Sequence, residues 1–216
     1  MNIKAIILVA CYIASTTAYC QSHQALIETN YGSIIVVLYD ATPLHRDNFI
    51  KLVHNHTYDS VLFHRVIKGF VIQAGDPTSK YALDTASLGD GDLGYTIPAE
   101  IMPDTLYHKR GALAAARDEN PTKASSACQF YIVQGKIAND STFIKSKIRT
   151  NGYETPEAHK QVYRTIGGIP HLDSRYTVFG EVLTGMDVVD KIAAVETNPK
   201  DRPKKEVRIG KVSMLK

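Results

Sequence analysis

No apolar run in this 216-residue chain is long enough to cross a bilayer; the longest, Ala5 to Ala14, falls well short of the roughly 20 residues a membrane helix needs. Cysteine is nearly absent: Cys11 and Cys20 stand in or beside that run, so a chain cut after Cys20 keeps only Cys128 and cannot form an internal disulfide. Nor does one charge sign dominate. Lys and Arg number 25 against 22 Asp and Glu, a net charge of +3 that gives no reason to expect nucleic acid as a partner. The Lys200–Lys205 cluster contains Asp201 and Pro203 and reads as a solvated turn. Metal-ligand spacing is lacking too. His54-Asn55-His56 alternates with no Cys or acidic cluster beside it, and Asp90-Gly91-Asp92 matches only a fragment of a calcium loop.

What is present begins with an N-terminal segment in the order charge (Lys4), apolar core, and small or polar residues with Ala18 before Cys20-Gln21, which is the pattern of a secretory signal peptide. Residues 1–20 are therefore expected to be removed, leaving a single domain of residues 21–216; lipid attachment at Cys20 and a retained anchor are the alternatives. The remaining length suffices to bury a substantial core. Cys128, beside Ala127 and ahead of Phe130 and Tyr131, is expected to be a buried thiol.

Two short runs, Ala25–Thr29 and Ser33–Tyr39, flank Asn30-Tyr31-Gly32 and predict a hairpin. Thr42 and Pro43 then predict a capped helix start, with Phe49, Leu52 and Val53 on one face. Further strands are expected at 62–66, 70–74, 111–116, 129–133 and 207–215, and a helix at 186–195. Many short strands with few helices point to an antiparallel sheet or barrel with helical covers. The segment 135–168 is polar and reads as an insertion carrying one helix, capped by Thr155, stopped by Gly167-Gly168, and docked through Ala158, Val162 and Ile166. Asn55-His56-Thr57 and Asn139-Asp140-Ser141 have the glycosylation-acceptor pattern.

The most specific stretch is Phe63-His64-Arg65-Val66-Ile67-Lys68-Gly69-Phe70-Val71-Ile72-Gln73-Ala74-Gly75-Asp76, followed downstream by Gly111–Arg117, Ser126–Ile132 and Tyr176–Gly180. In sequence and order these segments resemble the signature of the cyclophilin-type peptidyl-prolyl cis–trans isomerases. The resemblance covers residues 25–134 and 169–216. It implies a mainly β fold, a closed eight-stranded antiparallel β-barrel capped by two α-helices, with the partly helical insertion at 135–168.

The resemblance also implies the site. Arg65, Phe70 and Gln73 are its expected catalytic residues, Arg65 donating toward the proline nitrogen, Phe70 flooring the proline pocket with Tyr131 and Leu172, and Gln73 holding substrate backbone and orienting Arg65. Ala116, Arg117 and Gln129 are expected to line the groove, and Val71, His171 and Tyr176 the pocket edge. His64 is expected to be a hydrogen-bonded structural neighbour. His171 stands where many members carry tryptophan, which implies weak cyclosporin binding with isomerase activity kept. Tyr176 replaces a frequent histidine and Val71 a frequent methionine.

The expected function is isomerisation of X–Pro bonds in exported proteins, in the periplasm, by a monomer without a cofactor. Partners are proline-containing and unfolded exported polypeptides, with no membrane association unless Cys20 is lipidated. A proline-peptide-binding module in which turnover is incidental is the alternative.

Overall fold

A computed structural model describes residues 23–83 and 85–215. The expected leader, residues 1–20, lies outside the described residues. The strands are β1 (His23–Thr29), β2 (Gly32–Leu38), β3 (Arg65–Val66), β4 (Val71–Ala74), β5 (Thr96–Ile97), β6 (Ala112–Ala115), β7 (Ser125–Ser126), β8 (Phe130–Val133), β9 (Val178–Thr184) and β10 (Ile209–Met214). The helices are α1 (Pro43–His54), α2 (Asp140–Arg149), α3 (Glu157–Thr165) and α4 (Met186–Ala193).

Eight strands form one curled antiparallel sheet in the order β10-β1-β2-β9-β6-β8-β4-β3, and β5 pairs with β7 apart from it. The strand order has two ends, so the expected closed barrel is corrected to a half-barrel, and four α-helices stand among the described residues. The two edges meet at one isolated antiparallel bridge, between Leu62 and Arg208, where Phe63 N–H donates to Val207 O at 2.8 Å and Ile209 N–H to Val61 O at 2.9 Å.

Period-two alternation divides the side chains between two cores. Ile72, Ala74, Leu113, Ala115, Phe130 and Ile132 join the main core, into which α1 inserts Phe49, Leu52 and Val53 and α4 inserts Val188, Val189, Ile192 and Ala193. Val71, Ala112, Ala114, Tyr131 and Val133 point to the other face and form a second cluster with Leu172 and Val178. Cys128 is buried in the main core, and burial pushes its thiol up to about 11, out of the nucleophilic range.

Helix starts depart from local expectation. Thr42 holds the N-cap position of α1, but its side chain makes no cap bond; Glu100 accepts from Leu44 N–H at 3.1 Å and His45 N–H at 3.0 Å instead. A carboxylate at a helix N-terminus satisfies orphan donors and the helix dipole together. In the 135–168 segment there are two helices where one was expected. Asn139 caps α2, accepting from Thr142 N–H at 3.1 Å in a capping box. In α3, Pro156 rather than Thr155 stands at the N-cap, and the buried face carries His159 and Tyr163, while Ala158 and Ile166 are exposed. The aromatic contacts decide that face: His159 stacks on Tyr107 at 3.7 Å and Tyr163 meets Tyr107 edge-on at 5.6 Å. The ends of the segment meet where Gly168 N–H donates to Lys136 O at 3.0 Å.

Candidate active site

Register places the site. Arg65 on β3 is opposite Gln73 on β4, and Gln73 is opposite Tyr131 on β8, so three side chains form a row across adjacent strands on one sheet face. Gly69, at φ +74°, turns the chain between β3 and β4, and Phe70 O then accepts from both Gln134 and Gly135 N–H at 2.9 Å. That turn presents the Phe70 ring beside the row. Leu172 and Tyr176 arrive from the loop ahead of β9 and close the opposite wall.

The result is a cavity of about 250 Å³ lined by Arg65, Phe70, Val71, Gln73, Ala116, Arg117, Tyr131, Leu172 and Tyr176. These are nine of the twelve residues that sequence singled out. Gln129 lies just behind: Gln73 Nε2 donates to its Oε1 at 3.0 Å, and its own Nε2 donates to Gly89 O at 2.7 Å and Gly91 O at 2.9 Å. His171 stacks on Phe70, with rings 5.9 Å apart and 4° from parallel. Burial, then Arg149, His108 and Arg175, pull its pKa down to about 4, so the ring is neutral at pH 7.

His64 is buried and does not line the cavity, so it is a structural neighbour and not a substrate contact. Burial lowers its pKa and keeps it neutral. One expectation needs correction: Gln73 does not orient Arg65 by a hydrogen bond. The Arg65 Nε lies 3.5 Å from Asp201 Oδ2, and its guanidinium sits 6.0 Å from the Phe70 ring centre. Asp201 also accepts Val66 N–H on its main-chain carbonyl at 2.8 Å, so a turn read as merely solvated holds β3 and its arginine.

Sequence reasoning also missed what lies under the floor. Tyr131 Oη is 2.9 Å from His108 Nε2, His108 Nδ1 is 2.9 Å from Asp173 Oδ1, and Tyr163 Oη donates to Asp173 Oδ2 at 2.8 Å. All four side chains are buried. Burial raises the pKa of Tyr131 and Tyr163 far above the usual phenol value, so both remain hydrogen-bond donors. This chain of bonds satisfies a buried carboxylate and ties the cavity floor to α3. Asp173 directly follows Leu172, which was the one available signal.

A family model described as cyclophilin type peptidyl-prolyl cis–trans isomerase/CLD matches residues 25–214. The chain belongs to the cyclophilin family. This cyclophilin is 38% identical over 192 residues to a Streptococcus pyogenes protein named as a bifunctional phosphatase/peptidyl-prolyl cis–trans isomerase, and 33% identical to a Rhizopus delemar peptidyl-prolyl cis–trans isomerase-like 2. It spans 38% and 28% of those two relatives' lengths, with 88% of its own chain covered in each case. A Staphylococcus saprophyticus protein named as a peptidyl-prolyl cis–trans isomerase is 31% identical, with 88% of this cyclophilin and 90% of the relative covered. Its fold matches a Cryptosporidium parvum cyclophilin-type isomerase crystallised in the presence of the dipeptide Ala-Pro. The TM-score is 0.65 and the identity 24%, and the match covers 89% of this cyclophilin and 99% of that structure's chain.

Proposed function

We propose that this cyclophilin accelerates rotation about X–Pro peptide bonds, with Arg65, Phe70 and Gln73 at the reacting bond. One observation carries the reading: the Arg65 guanidinium lines a cavity whose apolar walls are Phe70, Val71, Ala116, Tyr131 and Leu172, with Gln73, Arg117 and Tyr176 completing the lining. An X–Pro bond crosses a barrier of roughly 18–20 kcal/mol because rotation destroys amide resonance. In the twisted transition state the proline nitrogen regains its lone pair and the carbonyl loses charge separation. Arg65 can donate to that nitrogen only as it pyramidalises, which is differential stabilisation of the transition state. The apolar walls seat the pyrrolidine ring and exclude water, favouring an amide less polar than its ground state. The Gln73 carbonyl is free to hold substrate backbone, since its amide nitrogen is spent on Gln129. Ala116, Arg117 and Tyr176 complete the groove wall. The Ala-Pro dipeptide used with the similar Cryptosporidium structure is in keeping with such a ligand.

The test is a protease-coupled assay of cis-to-trans conversion in an X–Pro peptide, run on residues 21–216 and on Arg65→Ala. Acceleration by the native domain, with a loss of about a hundredfold or more in the variant, is expected from removal of one preorganised donor. A folded native domain without acceleration leaves a proline-peptide-binding module in its place.

The N-terminal order of charge, apolar run and small residues supports export, with residues 21–216 acting as a monomer on exported polypeptides in the periplasm. N-terminal sequencing of protein recovered from cell fractions decides this. A soluble form beginning at Gln21 is expected; a membrane-bound form retaining Met1 or carrying lipid on Cys20 sinks it.

A further inference from the structure

A second cleft, of about 270 Å³, opens beside the proline cavity, and Arg117 lines both. Its walls come from the loop after β6, the end of α2 and the turn after Leu172. They supply four cations, Arg117, Lys123, Arg149 and Arg175, and one carboxylate, Glu119.

The way these cations are held decides their use. Arg117 Nε donates to Arg175 O at 3.1 Å and its Nη1 to Asp118 O at 3.0 Å, while its guanidinium lies 4.9 Å from the Tyr176 ring centre. Lys123 Nζ donates to Ser174 O at 2.9 Å, and Arg175 Nη1 donates to Arg149 O at 3.2 Å. The Arg149 guanidinium has no hydrogen bond or ion pair to any described residue. Three cations are thus anchored by neutral main-chain carbonyls, which fix position without cancelling charge. The one carboxylate that lines the cleft, Glu119, is 82% exposed and makes long ion pairs with Arg117 at 3.8 Å and Arg175 at 3.9 Å, which solvent screens to little worth. Like charges held close repel one another, and the arrangement is at its most stable with an anion among them. The basic character is local, since the neighbouring groove across Arg117 carries Asp90, Asp92 and Asp118.

We propose that this cleft receives an anionic side chain of the substrate, a carboxylate or a phosphate, lying within a few residues of its proline. The proposal rests on the isomerase reading and deepens it: the substrate class is proline-containing polypeptide with an acidic or phosphorylated residue nearby. The cleft is joined to the proline cavity by Arg117, which lines both.

The test uses the full chain and a protease-free exchange measurement by NMR on peptides of one length with a central X–Pro bond. Glutamate, phosphoserine, lysine or alanine is placed singly at each of three positions on either side. At low salt, kcat/KM for the best anionic peptide is expected to exceed that of its alanine counterpart about tenfold, the effect of a few partly exposed ion pairs acting together. Arg149→Glu should abolish that advantage and leave the alanine peptide unchanged, Arg149→Lys should restore most of it, and high salt should erode it. A gain with phosphoserine alone identifies phosphate as the ligand; comparable gains with glutamate identify a carboxylate. Equal rates for anionic and alanine peptides, or an anionic preference that survives Arg149→Glu, overturn the proposal. Should no peptide be accelerated, the isomerase reading fails on its own. Anisotropy of a labelled phosphoserine peptide then still decides the cleft, with binding lost in Arg149→Glu as the supporting result and equal binding as the contrary one.

Discussion

Arg65 and Gln73 are directly opposed on β3 and β4, yet the arginine is paired with Asp201 from a distant turn and the glutamine with Gln129. Cross-strand register brings the two side chains to one face, but each is oriented by a partner outside that pair.

Asp201→Ala should therefore lower kcat without unfolding the protein. Both members of the Arg65–Asp201 pair are about two-fifths exposed, so its worth is under about 1 kcal/mol, a factor of up to about five in rate. The bond from Val66 N–H goes to the Asp201 main chain and survives. Steady-state kinetics beside a melting curve check this. A loss equal to that of Arg65→Ala would place Asp201 in the reaction itself.

Tyr163→Phe removes one donor from the buried Asp173 carboxylate and should cost about 1–3 kcal/mol of stability, read from urea unfolding. Asp173→Ala should cost more, because it leaves His108 and Tyr163 together without their acceptor. A Tyr163→Phe variant as stable as the native chain would show that water replaces the hydroxyl.

Stability should fall as pH drops below neutrality. Burial is the leading cause of the lowered pKa of His45, His64 and His171, the last to about 4, against about 6.5 in the unfolded chain. The unfolded state thus binds more protons between these values. The contribution of His171 is fully present above about pH 6.5 and is lost as pH falls toward about 4. Urea midpoints at a series of pH values should show this slope, shallower in His171→Phe. A His171 ring that titrates by NMR near 6.5 would contradict it.

Gly91→Ala should disturb the groove from outside the cavity. A Cβ there would collide with Asp76 Oδ1, which accepts from Thr78 N–H at 2.8 Å, while Oδ2 accepts from Gly89 N–H at 2.6 Å. Overpacking of this kind costs about 1–3 kcal/mol, and it also moves the carbonyl that Gln129 Nε2 holds. A lower melting temperature together with a raised KM is expected; an unchanged KM would separate Gln129 from substrate binding.

The amino-acid sequence by itself determined what local rules can carry. Apolar runs between turn signals placed β1, β2, β4, β6, β8 and β10 but not β5, β7 or β9, three- and four-residue spacing placed the buried face of α1, and two compact motifs held most of the cavity's lining, because neighbours on adjacent strands come from short, continuous segments. Tertiary structure alone decided the rest. Glu100 caps α1 from 55 residues away, His108 meets Asp173 across 65, and Asp201 reaches Arg65 from the far end of the chain. The open strand order likewise turned on the contact between the two sheet edges, which is one isolated bridge, and the buried face of α3 followed aromatic partners rather than aliphatic spacing. Such pairings leave no periodic trace, since a single polar contact between distant segments constrains one residue at each end and none of their neighbours.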